Sequence, residues 1–416
     1  MKKSLKIISM FVVAGMVMAS CEGPMGPAGA DGAKGDKGDK GDPGTPGTTL
    51  ACAECHNQNV VEVIASEFEY SLHKTGEAFE EGTRTGCAPC HSHEGYTYVV
   101  KNNTPSTFVL NATTGKYVNQ YFISDAAASL PTPINCMTCH SKLHTTYGDE
   151  DFSPLTNIAA VSMTMYGGAK SINFERTQGN LCAKCHQPRP VTKASDSNVI
   201  DYAALVSSPT TTFTQATLGY RTGVHYGTQA AMADGVGGIE FGGTGYTNST
   251  HASTASCKSC HMAAPAGFGG GHSFNIHTSA EGATTPTINF AGCNVGGCHT
   301  TMGASNATFT AARADIEAKL DQLAAKINAL QAPNTADLLF KEADGEYHGY
   351  FNIYDASSNP TGFYKNPNLG NVPFPTIPNA AFGAILNYQL VYRDGSKGVH
   401  NYPYMKNLLE KTLAAW

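Results

Sequence analysis

The sequence predicts a mostly irregular fold of short α-helices and few strands, wrapped around a core that its own side chains do not fill. Three observations carry that prediction. Of 416 residues, 44 are Gly and 21 are Pro while only 14% are charged, a balance that suits neither a densely packed enzyme nor a disordered acidic tail. From Ala51 to about Thr301 no helical or strand periodicity is sustained, and turn-rich pieces such as Gly235-Val236-Gly237-Gly238 interrupt the chain. Through that same stretch, pairs of cysteines recur with a histidine directly behind the second.

The chain starts with a leader. Lys2, Lys3 and Lys6 precede an apolar run from Ile8 to Ala19, too short to span a bilayer and shaped like the charged and apolar regions of a signal peptide over 1–20. The run closes on Met18-Ala19-Ser20-Cys21, which resembles the lipobox at which bacterial signal peptidase cuts and the new N-terminal cysteine is acylated. Cys21 is therefore the expected lipidation site. The expected localisation is exported, lipid-anchored to the outer membrane or cell surface. The net charge of −6 counts the three leader lysines, without which it stands at −9. An acidic balance of this kind argues against a nucleic-acid partner.

Behind the anchor, glycine occupies every third position from Gly23 to Gly47, with Lys-Gly-Asp repeats at its centre. This collagen-like tract, 21–48 with its anchor cysteine, reads first as an extended stalk holding the body off the membrane. Opposite charges at matching places would also let three copies pair, so a trimer through the stalk is the second reading.

Residues 49–301 hold the chemistry. Five segments have the form Cys-x-x-Cys-His: Cys52, Cys55 and His56; Cys87, Cys90 and His91; Cys136, Cys139 and His140; Cys182, Cys185 and His186; Cys257, Cys260 and His261. A sixth, Cys293 to Cys298 and His299, has four intervening residues, two of them Gly296 and Gly297, which would let the longer loop fold back. The pattern is that of covalent haem attachment: two thiols add to the porphyrin vinyl groups and the adjacent His becomes the proximal iron ligand. A zinc site has no reason to demand His after every second Cys. Cys-x-x-Cys pairs also make strained, redox-active disulfides rather than structural staples. Twelve cysteines for six haems, with Cys21 for lipid, exhaust the thirteen present.

Nine histidines lie outside the motifs, enough to supply a second axial ligand to each iron. The expected distal ligands are His73, His144, His225, His251, His272 and His400, with His93, His277 and His348 left as surface or hydrogen-bonded residues. Iron held by histidine on both sides has no open position, so the reading is electron carriage without substrate chemistry. The alternative is a reductase of nitrite, hydroxylamine or a similar small oxyanion, which would need one vacant iron.

In residues 302–416 the pattern changes. Ile316, Leu320, Leu323, Ile327 and Leu330 recur at alternating spacings of four and three, predicting one amphipathic helix over about 308–330. A Pro- and Asn-rich loop over 359–378 and a final helix over 402–415 follow. The whole region is expected to pack on the haems and supply one distal His.

From about Ala51 onward, the segments Asn180-Leu181-Cys182-Ala183-Lys184-Cys185-His186, Gly270-Gly271-His272 and Gly395 to Asn401 resemble multihaem c-type cytochromes of the bis-histidine kind. In length and haem number the chain is similar to the six-haem extracellular cytochromes that form filaments. The Gly398-Val399-His400-Asn401 segment resembles the one that supplies a distal His in cytochrome c nitrite reductases. The resemblance implies a haem-packed multihaem cytochrome c fold and His225, His272 and His400 as ligands. It further implies redox proteins or extracellular electron acceptors as partners, and self-association into a filament. Two features depart from it. No Cys-x-x-Cys-Lys motif of the catalytic nitrite reductase haem occurs, and the lipobox and collagen-like tract are foreign to filament-forming cytochromes.

Overall fold

The computed structural model describes residues 60–83, 87–102, 108–111, 116–119, 132–140, 159–174, 179–193, 199–280, 282–331, 336–353, 363–365 and 372–416. The signal peptide, Cys21, the collagen-like tract, the first motif with Cys52, Cys55 and His56, and His144 lie outside the described residues. The described part is mostly short helices and irregular chain with a few two-stranded ribbons.

Five helices are long enough to organise the rest: α1 (Val61–Phe68), α2 (His93–Asn102), α3 (Ala307–Asn328), α4 (Asn379–Asp394) and α5 (Tyr402–Ala414). Strands pair only as antiparallel ribbons: β1 (Phe108–Asn111) with β2 (Lys116–Asn119), β3 (Val161–Ser162) with β4 (Ser171–Ile172), and β5 (Leu339–Lys341) with β6 (Tyr347–Phe351).

Helix α3 is the amphipathic helix of the sequence. Asn306 caps it, its side chain accepting the backbone N–H groups of Thr308 and Phe309. Ile316, Leu320, Leu323 and Ile327 form its buried stripe, against which α4 and α5 pack.

Helix α4 has no counterpart among the predicted elements. Every residue of it except Tyr392 is buried, so it has no polar face and no 3.6-residue period to reveal it. Its polar side chains are paired inside. Asn387 Nδ2 donates to Ile239 O and Thr412 Oγ1, each at 2.8 Å, while its Oδ1 accepts Ile239 N–H at 2.8 Å. Gln389 Nε2 donates to Gly349 O at 2.6 Å and its Oε1 accepts Val224 N–H at 3.0 Å. Buried polar groups are tolerated only when satisfied in this way.

Around α4 the chain builds an apolar core of its own, drawing Val161, Met163, Leu205, Phe213, Phe241 and Leu386 into one cluster with the inner faces of α3 and α5. This side-chain cluster was not among the predicted elements. The 159–241 segment and the C-terminal helices are glued by ordinary hydrophobic burial. The cysteine motifs lie on short helices and turns, of which the fourth reaches into that cluster through Ala183.

Candidate metal centres

Each described Cys-x-x-Cys-His motif forms a single tight turn. The His N–H donates to the carbonyl of the first cysteine, at 3.1 Å for His91 and Cys87, 2.8 Å for His140 and Cys136, and 3.0 Å for His186 and Cys182. This bond turns both thiols and the imidazole toward one side. In the third motif Asn135 caps the turn through its side chain, and in the fifth Ser256 and Ser259 form a capping box.

The sixth motif reaches the same closure by another route. His299 N–H donates to Cys293 O at 3.1 Å across the two additional residues. Gly297 takes φ +87°, a left-handed conformation suited to glycine, and a Cβ at Gly296 or Gly297 would meet open space. The extra loop is thus extruded, and the backbone bond made by the shorter motifs is kept.

The five described motif histidines each face one histidine from outside the motifs. Ring centroids are 6.1 Å apart for His91 and His225, 6.2 Å for His140 and His272, and 6.0 Å for His186 and His73. For His261 and His400 the separation is 6.3 Å, and for His299 and His251 it is 6.0 Å. Two imidazoles on opposite sides of one metal, each with a bond of about 2.0 Å and about 1.1 Å from nitrogen to ring centre, have centroids about 6.2 Å apart. The spacing therefore fits a bis-histidine iron at each of five places. The five partners are His73, His225, His251, His272 and His400.

Inter-ring angles divide the pairs. They are 76° for His73 with His186 and 84° for His251 with His299, against 26°, 36° and 38° for the other three.

The outer ring nitrogens are held by the protein. Nδ1 of His91 donates to Ala78 O at 2.8 Å, that of His261 to Phe274 O at 2.8 Å, and that of His251 to Val399 O at 3.0 Å. His400 Nδ1 donates to Asp394 Oδ1 at 2.6 Å. With the proton fixed on Nδ1, the lone pair lies on Nε2, the nitrogen available to a metal.

Electrostatics keep most of these rings neutral. Desolvation, with His186 and His261 nearby, holds His73 down to about 4, and burial together with Arg189 holds His225 down to about 3. Burial likewise lowers His91, His186, His261 and His272. His400 goes the other way: burial pushes it down, but the charge and hydrogen bond of Asp394 outweigh that and raise it. Neutral imidazole is the ligand form.

The histidines expected to stand apart are engaged differently. His93 Nδ1 bonds Thr138 Oγ1 at 2.8 Å, His348 Nε2 pairs with Asp344 at 2.7 Å, and His277 lies in a backbone bridge with Ile288. No disulfide involves the ten described cysteines, and among the described residues no three or more His, Cys, Asp or Glu side chains converge as a metal-binding cluster.

The motifs also touch one another. Cys90 Sγ lies 3.9 Å from Lys184 O and Cys185 Sγ 3.9 Å from Pro89 O, while Cys182 lies beside Cys257 and Cys260 beside Cys293, near enough to perturb each other's ionisation. Contact therefore runs from the second motif to the fourth, fifth and sixth. Phe274 ties in the third: its ring lies 5.1 Å from His73 and 5.9 Å from His272, while its carbonyl holds His261. The pairings are invisible in the sequence, because tertiary packing joins segments as far apart as Glu67 and His272, 205 residues along the chain.

No protein-family model and no curated protein matches the chain. Among solved structures it is similar to the crystal structure of outer cell wall cytochrome OcwA, at TM-score 0.41 and 18% identity, over 84% of this chain and 49% of that one. The chain thus spans about half the length of that cytochrome. A likeness this slight leaves the metal reading resting on the histidine pairs. Among the described residues no helix is long and apolar enough to cross a membrane.

Proposed function

We propose that the chain is a six-haem electron carrier of the bis-histidine multihaem cytochrome class, exported and tethered through Cys21, working in extracellular or respiratory electron transport. One observation carries the reading: five motif histidines each oppose a second histidine at the spacing of a shared iron. When bound, haem supplies a reversible one-electron couple at each site.

The chain's own residues do the rest. Paired thiols would hold each porphyrin, Nδ1 bonds to carbonyls and to Asp394 hold the imidazoles in one tautomer, and a histidine pair at each iron would leave substrate no coordination position. His56 is proposed as a further proximal ligand and His144 as a further distal one. Contacts between successive thiol pairs keep neighbouring sites close enough for electron exchange. Redox proteins or extracellular acceptors are the proposed partners.

Mass spectrometry and EPR of the purified oxidised protein test this reading. The mass should exceed the apoprotein by six haems, and all iron should be low-spin. The two pairs with near-perpendicular rings should give highly anisotropic signals, distinct from the rhombic signals of the three with smaller angles. A mass equal to the bare polypeptide, or a high-spin iron that binds nitrite, would overturn it; the second result would support the reductase.

Acidification gives a further expectation. A histidine with a depressed folded pKa keeps its neutral form above that value and loses it only as pH falls through it. With His73 at about 4 and His225 at about 3, the two sites they share with His186 and His91 should stay low-spin between about pH 7 and about pH 5, although free imidazole titrates within that window. Conversion of either site to high-spin across it would contradict the assignment.

A further inference from the structure

Among the described distal histidines, His400 stands out for its outer-nitrogen partner. His251 is held by a neutral carbonyl. His272 lies 3.8 Å from Glu67, whose Oε2 instead accepts the His272 backbone N–H at 2.9 Å. His400 Nδ1 donates at 2.6 Å to Asp394 Oδ1, and the Asp394 side chain is fully buried.

Several features fix that carboxylate. It closes α4, where Gly395 at φ +74° turns the chain out of the helix. Its Oδ2 accepts the N–H of Ser396 at 3.1 Å and also the Ser396 hydroxyl. The adjacent Arg393 directs its guanidinium to the carbonyls of Val224 and His348. The anion therefore bears most directly on His400.

We propose that Asp394 makes the site formed by Cys257, Cys260, His261 and His400 the lowest-potential member of the array. A carboxylate drawing on the Nδ1 proton raises the donor strength of Nε2, and its buried negative charge favours the ferric over the ferrous state. The inference rests on the electron-carrier reading above. It has a consequence for the array: the fifth motif lies beside the fourth at Cys257 and beside the sixth at Cys260, near enough for their thiols to perturb each other's ionisation. The low-potential site is thus internal, a step that electrons cross between neighbours of higher potential.

Spectroelectrochemical titration of the holoprotein and of Asp394→Asn, Asp394→Glu and Ser396→Ala tests it. In Asp394→Asn the lowest of the one-electron components should rise by at least a tenfold change in its oxidised-to-reduced ratio, equivalent to 59 mV. The other components and the low-spin EPR should stay as they are. Asp394→Glu should restore part of that shift. Ser396→Ala, a milder change that removes one donor to the carboxylate, should move the same component downward, and it decides the matter if Asp394→Asn does not accumulate.

An unshifted titration in Asp394→Asn or, failing that variant, in Ser396→Ala would overturn the proposal. So would loss of low-spin ligation in Asp394→Asn, since Asp394 would then merely hold the ring in place. A wild-type protein without reversible low-spin titration would remove the carrier reading itself, and this proposal with it.

Discussion

Replacing His225 with alanine should convert about one haem in six from low-spin to high-spin while leaving all six attached. The reason is the division of labour within each site. On the proposed reading Cys87 and Cys90 would form the covalent clamp and His91 the ligand beside it, whereas His225 approaches from a distant loop, its ring 6.1 Å from that of His91. Removing the distal imidazole opens one coordination position without touching the thioethers. EPR should gain a high-spin signal, and cyanide should bind at a stoichiometry of about one per chain. His93→Ala, changed at a histidine assigned no iron, should leave the spectrum alone. A fully low-spin His225→Ala protein would sink the pairing of His225 with His91.

The second large effect concerns the side-chain core. Phe382 on α4 is completely buried, stacked on Phe213 with centroids 3.7 Å apart and planes 9° from parallel. Its ring also lies parallel to that of Phe351 at 6.5 Å. Phe382→Ala removes that contact surface and leaves a cavity that a helix enclosed on all sides cannot collapse to fill, so the cost should be about 3–5 kcal/mol. Chemical denaturation followed by far-ultraviolet circular dichroism measures it. A loss under about 1 kcal/mol would mean that this aromatic stack contributes little to the stability of the C-terminal region.

The sequence was informative where chemistry demands adjacency and uninformative where packing decides. Each motif histidine directly follows a second cysteine, so His91, His140, His186, His261 and His299 are candidates by position alone. The facing histidine obeys no local rule: His73 meets His186 and His251 meets His299 only through the folded chain. Helix α3 was legible because one of its faces is wet, and its predicted span of about 308–330 lies close to the observed Ala307–Asn328. Helix α4 was not, because Ala380 to Val391 reads as continuous apolar chain broken by Asn387 and Gln389, whose partners lie far away in sequence. The side-chain core was missed for the same reason, since low charge and abundant glycine describe the loops better than the elements they connect.

The thiol contacts between motifs have a consequence for biogenesis. Cys90 beside Cys185, Cys182 beside Cys257 and Cys260 beside Cys293 are juxtaposed only once the polypeptide has folded. In an oxidising compartment, a chain that reached this shape before maturation would be poised to cross-link the wrong sulfurs. On the proposed haem reading, porphyrin attachment would have to precede, or accompany, the final collapse, so that which sulfurs end up side by side would set the order of assembly.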